Sequence, residues 1–169
     1  LSPMKMMSEE LSDKVEVRYT DNPLDLDTSS GAMPPSDKLD DMNWADIVFM
    51  ANILKWGGPY TARVCGVARE LGKFMHFDTD DLLTDLYKGH HLYDVYKENK
   101  LGDITKFVYA NSHLVTVTQS KFAERIKPYV GKCLAVVKNT LDYTLPSWNH
   151  PRTKSKHTRV GYAAGIHHR

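Results

Sequence analysis

Apolar and polar residues change their spacing repeatedly along this chain, and the changes predict strands alternating with helices. Val15-Glu16-Val17-Arg18-Tyr19-Thr20 alternates apolar with polar, the period of a strand with one buried face, and predicts an edge strand. Asp46-Ile47-Val48-Phe49-Met50-Ala51 is a continuous apolar run of the kind buried on both faces, and predicts a central strand. After Gly57-Gly58-Pro59, the residues Tyr60, Val64, Val67, Ala68 and Leu71 recur at helical spacing up to Gly72, a residue suited to the position just past a helix end. Residues 73–77 supply the next strand. Residues 82–111 have the character of two helices joined by a turn, with Gly102 separating them and Asp103 as an N-cap before Ile104, Phe107 and Val108. The β-branched stretch 113–118 predicts a strand, Ser120 caps a helix carrying Phe122, Ala123 and Ile126, and Pro128 to Gly131 ends it before a strand at 132–137.

Strands that alternate with helices imply right-handed βαβ units and a parallel sheet. The expected class is α/β, a Rossmann-like three-layer α/β/α domain with a mainly parallel sheet. Residues 1–14 are polar, Met-rich and aperiodic, which predicts a tail, and the domain is expected over 15–145. Within it, residues 21–43 are rich in Asp, Ser, Gly and Pro and predict a long loop. Residues 146–158 read as a basic linker, with Arg152, Lys154 and Lys156 unopposed by any acid, and 159–169 as the start of a second domain. The chain begins at Leu1 and ends at Arg169 shortly after the apolar-rich run Val160-Gly161-Tyr162-Ala163-Ala164, so a truncated fragment of a longer protein is expected.

Composition narrows the class of partner. With 169 residues, 41% of them hydrophobic and 25% charged, the chain has material for one sizeable core. A net charge of +1 gives no general reason to invoke nucleic acid. No stretch reaches the roughly 18 apolar residues of a membrane span, and no apolar signal-like core follows a basic start. Cys65 and Cys133, the only cysteines, fall in a predicted helix and a predicted strand and are expected as buried small hydrophobes, which fits a reducing, cytoplasmic setting.

The candidate chemistry lies in Phe74-Met75-His76-Phe77-Asp78-Thr79-Asp80-Asp81-Leu82-Leu83, an apolar strand that ends in three aspartates. In open α/β sheets ligands meet the carboxyl ends of the strands. A single carboxylate there is accounted for as an N-cap, and Asp80 or Asp81 suits that place. Hard oxygen ligands of this kind also suit a divalent metal, although Asp-x-Asp by itself is short and common. A strand ending in Asp-x-Asp resembles the haloacid-dehalogenase-like phosphatases, in which the first aspartate is a nucleophile and the second a general acid. In that family the motif closes the first strand and Gly-Thr usually follows, whereas here two predicted strands precede it. At the other end of the chain Gly161 and Gly165, followed by His167 and Arg169, offer a glycine-bearing strand end with basic groups that suits a phosphate. Tyr87, Tyr93, Tyr96 and Tyr109 are expected as helix packing, and His90-His91 as a solvated turn.

The order of the parts adds a resemblance. Asp46-Ile47-Val48-Phe49-Met50, the run Leu71 to Leu82, Ala110-Asn111-Ser112-His113-Leu114-Val115-Thr116-Val117-Thr118-Gln119-Ser120, Val136-Val137-Lys138-Asn139-Thr140-Leu141-Asp142 and Arg159-Val160-Gly161-Tyr162-Ala163-Ala164-Gly165 together resemble the GT-B-fold glycosyltransferases of the group-one type, over roughly residues 44–169. The resemblance implies the amino-terminal domain of such an enzyme plus the first strand of its carboxyl-terminal domain. It implies transfer of a sugar from a nucleotide-sugar donor to a glycan or lipid-linked acceptor, with Asp78, Asp80 and Asp81 edging the acceptor side of a cleft. Gly161, Gly165, His167 and Arg169 would lie on the donor side. No cofactor and no metal is implied, because GT-B enzymes manage leaving-group charge with helix ends and basic side chains. A fragment of this kind is expected to be inactive alone. The expected partners are donor and acceptor, with peripheral membrane contact at most, no nucleic acid, and self-association through an open sheet edge. The competing readings are a non-catalytic Rossmann-like binding or interaction module and, below it, the phosphatase.

Overall fold

The computed structural model describes residues 13–20, 39–51 and 58–139, and every element named below falls in the unit Leu1–Lys138. In chain order these are α1 (Asp40–Trp44), β1 (Ile47–Ala51), α2 (Gly58–Glu70), β2 (Phe74–Thr79), α3 (Tyr93–Glu98), α4 (Leu101–Asn111), β3 (Leu114–Val117), α5 (Ser120–Ile126), a 3₁₀ turn (Lys127–Tyr129) and β4 (Cys133–Val136). The four strands form one sheet in the order β1-β2-β3-β4, parallel throughout. The domain is thus α/β and Rossmann-like, as its alternating periodicities predict.

Each strand is added on the same side of the one before it. Right-handed crossovers in that order carry every connecting helix to one face of the sheet. Burial agrees: Met75 and Phe77 of β2 and Val115 and Val117 of β3 are buried with Val64, Val67 and Ala68 of α2, Val108 and Tyr109 of α4, and Ile126 of α5 in one core cluster. The described residues supply this one helical layer; the second layer of a three-layer arrangement is not among them.

Local chemistry sets the ends of the helices. After α2 the Gly72 backbone turns left-handed at φ 66°, and its N–H bonds the Arg69 carbonyl at 3.0 Å while the Lys73 N–H bonds the Ala68 carbonyl at 2.8 Å. That paired closure is a Schellman motif, which favours glycine because a side chain strains the left-handed region. A second glycine is held by contact: a Cβ on Gly131 would collide with the Ala110 carbonyl of α4, where the chain turns into β4. Helix α4 closes on Ser112, whose N–H and hydroxyl both reach the Val108 carbonyl.

Several expectations are corrected. Residues 15–20 form no strand; Arg18 instead stacks over the Trp44 ring of α1 at 4.0 Å and pairs with Asp41 at 3.8 Å. Alternation marks an extended, half-buried segment, and it does not supply a sheet partner. Residues 40–43, placed in a long loop, belong to α1, where Met42 is buried in the core. β1 pairs only with β2 among the described strands, so it is an edge of the described sheet instead of its centre. Asp103 lies within the first turn of α4, and Lys100, with φ 51°, takes the N-cap position; Ser120 likewise is the first residue of α5, after the N-cap Gln119. Cys133 is exposed while Cys65 is buried. Tyr87 is exposed where packing is expected, whereas Tyr109 is fully buried.

Candidate functional site

The parallel order gathers the carboxyl ends of all four strands at one edge of the sheet. β2 runs to Thr79, two residues past its expected end, so Asp78 belongs to the strand and Asp80 and Asp81 begin the bend beyond it. Thr79 fixes that bend: its hydroxyl donates to the Asp81 carbonyl at 3.1 Å and accepts from the Asp81 N–H at 3.3 Å. Beneath it the Tyr109 ring packs 5.7 Å from Phe77. Burial pushes the Tyr109 hydroxyl above its usual pKa, the neighbouring Thr79 hydroxyl offsets this only in part, and the phenol oxygen makes no well-formed hydrogen bond.

The three carboxylates have different surroundings. Asp78 is half-buried and accepts a short hydrogen bond from the Thr116 hydroxyl of β3. His76 Nε2 lies 2.9 Å from the same hydroxyl, and the His76 ring meets the Phe49 ring edge-on at 4.9 Å. Register accounts for the grouping: Asp78 pairs with Thr116, His76 with Leu114 and Phe49 with His76, so these side chains rise from one face of the sheet. Burial lowers the His76 pKa below its ordinary value, and the charge of Asp78 acts in the opposite direction. Asp80 and Asp81 are exposed, and among the described residues neither carboxylate has a hydrogen bond or an ion pair. The segment that follows is tethered to α5 by an exposed contact of Arg125 with Asp85 at 3.1 Å.

Asp78, Asp80 and Asp81 thus share the carboxyl edge of the sheet, but only Asp78 is held by neighbouring side chains. No three His, Cys, Asp or Glu side chains gather as a metal cage among the described residues. Gly161, Gly165, His167 and Arg169 lie outside the described residues. Sequence reasoning missed His76 and Thr116. Their signal was the period-two spacing of His76 and Asp78, with a threonine set between valines in the neighbouring strand. Among the described residues no helix is long and apolar enough to cross a membrane. Compared with known proteins, the chain matches no family model, no curated protein and no solved structure.

Proposed function

We propose that this chain provides the acceptor side of a GT-B-type glycosyltransferase, which moves a sugar from a nucleotide-sugar donor to a glycan or lipid-linked acceptor. The observation that carries the reading is the position of Asp78, Asp80 and Asp81 at the carboxyl edge of a fully parallel sheet, where open α/β folds receive their ligands. The ordered sequence resemblance supplies the chemistry. An acceptor hydroxyl donates to a carboxylate at about 3 Å and passes it the proton as its oxygen bonds the anomeric carbon, whose bond to the donor's diphosphate oxygen breaks with the electron pair leaving on the nucleoside diphosphate. Gly161, Gly165, His167 and Arg169 are assigned to the diphosphate of the donor, where basic groups balance the leaving charge.

Saturation-transfer NMR on the full chain tests this with methyl glucoside, methyl galactoside and methyl mannoside as acceptor probes, and UDP-glucose and GDP-mannose as donor probes. The expected result is a saccharide signal that disappears when Asp78, Asp80 and Asp81 are all changed to Asn. A chain that gives no signal with any methyl glycoside, or a triple variant that loses only sugar-nucleotide binding, overturns the acceptor-side assignment. Magnesium-dependent hydrolysis of p-nitrophenyl phosphate would move the reading to the phosphatase class.

A further inference from the structure

We propose that His76 and Thr116 are positioning residues for Asp78, and that Asp78, of the three aspartates, is the carboxylate that receives the acceptor hydroxyl. The proposal rests on the glycosyltransferase reading above and names the group that acts within it.

Proton counting gives the network a direction. A carboxylate only accepts, and a threonine hydroxyl has one proton, so that proton points from Thr116 Oγ1 to Asp78 Oδ1. The remaining contact of Oγ1, with His76 Nε2 at 2.9 Å, then has the hydroxyl as acceptor and the ring as donor. Neutral His76 is therefore the Nε2–H tautomer. The Phe49 ring against the imidazole limits its rotation. Thr116 is 4% exposed, which leaves water little room to take over its contacts. Desolvation, by lowering the His76 pKa, favours this neutral donor near neutral pH.

The result is a carboxylate with one oxygen committed and one available. Oδ1 is bound, and among the described residues Oδ2 has no hydrogen bond. Asp78 is the last residue but one of β2, half-buried beside the carboxyl edge. Its side chain is held from a neighbouring strand, so receiving a substrate hydroxyl costs it little further conformational freedom. Asp80 and Asp81 are exposed and lack such support among the described residues, and each would lose both water and rotamer freedom to do the same.

Two measurements on the isotope-labelled full chain test the proposal. Long-range proton–nitrogen spectra of the imidazoles are expected to report the Nε2–H tautomer for His76, a tautomer mixture in Thr116→Val, and recovery in Thr116→Ser. A wild-type Nδ1–H tautomer, or a Thr116→Val spectrum identical to wild type, overturns the network. Titration with the methyl glycoside that binds best is expected to weaken about tenfold in Asp78→Asn and in Thr116→Val, with Thr116→Ser and Asp80→Asn staying within about threefold of wild type. Equal losses at Asp78 and Asp80 overturn the choice of Asp78. A wild-type chain that binds no methyl glycoside removes the glycosyltransferase reading itself, and the tautomer spectra then still separate a held Asp78 from an unheld one.

Discussion

The two faces of β2 divide the labour of the domain. Met75, Phe77 and Thr79 point into the helical layer and are buried, while Phe74, His76 and Asp78, taken from the same six residues, point to the opposite face and stay partly open. On the covered face Met75 and Phe77 join an apolar cluster with side chains of α2, α4, α5, β1 and β3, and the contribution is packing. On the other face the same strand carries an imidazole and a carboxylate that meet the Thr116 hydroxyl across the sheet. Polar groups at that density inside the covered face would each need a buried partner. On a partly open face they need only one another. The comparison teaches that alternation along a single strand is enough to separate a packed apolar face from a polar, hydrogen-bonded one.

The sharpest test of the contrast is all-or-none. Cys65 lies under the covered face with its thiol pushed up to about 12 by burial, while Cys133 is exposed at the start of β4, on the face that carries His76. Native protein treated with iodoacetamide is expected to take up one adduct, at Cys133, and urea-unfolded protein two; labelling of native Cys65 would break the comparison. Phe77→Ala is expected to destabilise by about 3–5 kcal/mol, and Phe74→Ala, which is 42% exposed and stacked on His113, by about 1 kcal/mol. Urea midpoints decide, and equal losses would mean that the two faces contribute alike.

Thr116→Val keeps the shape but strips the hydroxyl from between Asp78 and His76, with an expected cost of about 1–3 kcal/mol that Thr116→Ser recovers. Tyr109→Phe removes a buried hydroxyl that lacks a well-formed partner, so the stability read from urea melts is expected to stay level or rise, by about 1 kcal/mol at most. The smallest effect is the pH dependence of His76. Its folded pKa lies below the unfolded value of about 6.5, so between the two the unfolded chain binds more protons. Its contribution is full above about pH 6.5 and declines as pH falls towards the folded pKa. Urea melts of wild type and His76→Gln at about pH 7.5 and about pH 5.5 should show the steeper acid loss in wild type.

Much of this fold was legible in the residues. The strand at 73–77, the helix from Tyr60 to Leu71 and its glycine stop, and the Val-Thr-Val strand were each visible because their periodicity or end chemistry is local. Residues 15–20 misled because alternation is equally the mark of an extended segment docked on a helix, here through Arg18 on Trp44. β1 looked central because its apolar run is continuous, yet Ile47 is 59% exposed. Phe49 meets His76 and Met50 joins the core, and sequence cannot count the strands beside it. The site was half legible: the aspartates stood out as like charges closing an apolar strand, whereas Thr116 reads as an ordinary β-branched strand residue.

The sequence by itself determined the class of structure and the location of the carboxylates, because hydrophobic period, turn residues and charge runs act over a few residues. Only the tertiary structure decided that one aspartate is held and two are not. That distinction arises from the register of β2 on β3, which sets residues 38 positions apart within a hydrogen bond of each other. Contacts of that separation follow from strand pairing and crossover direction, which no local pattern encodes.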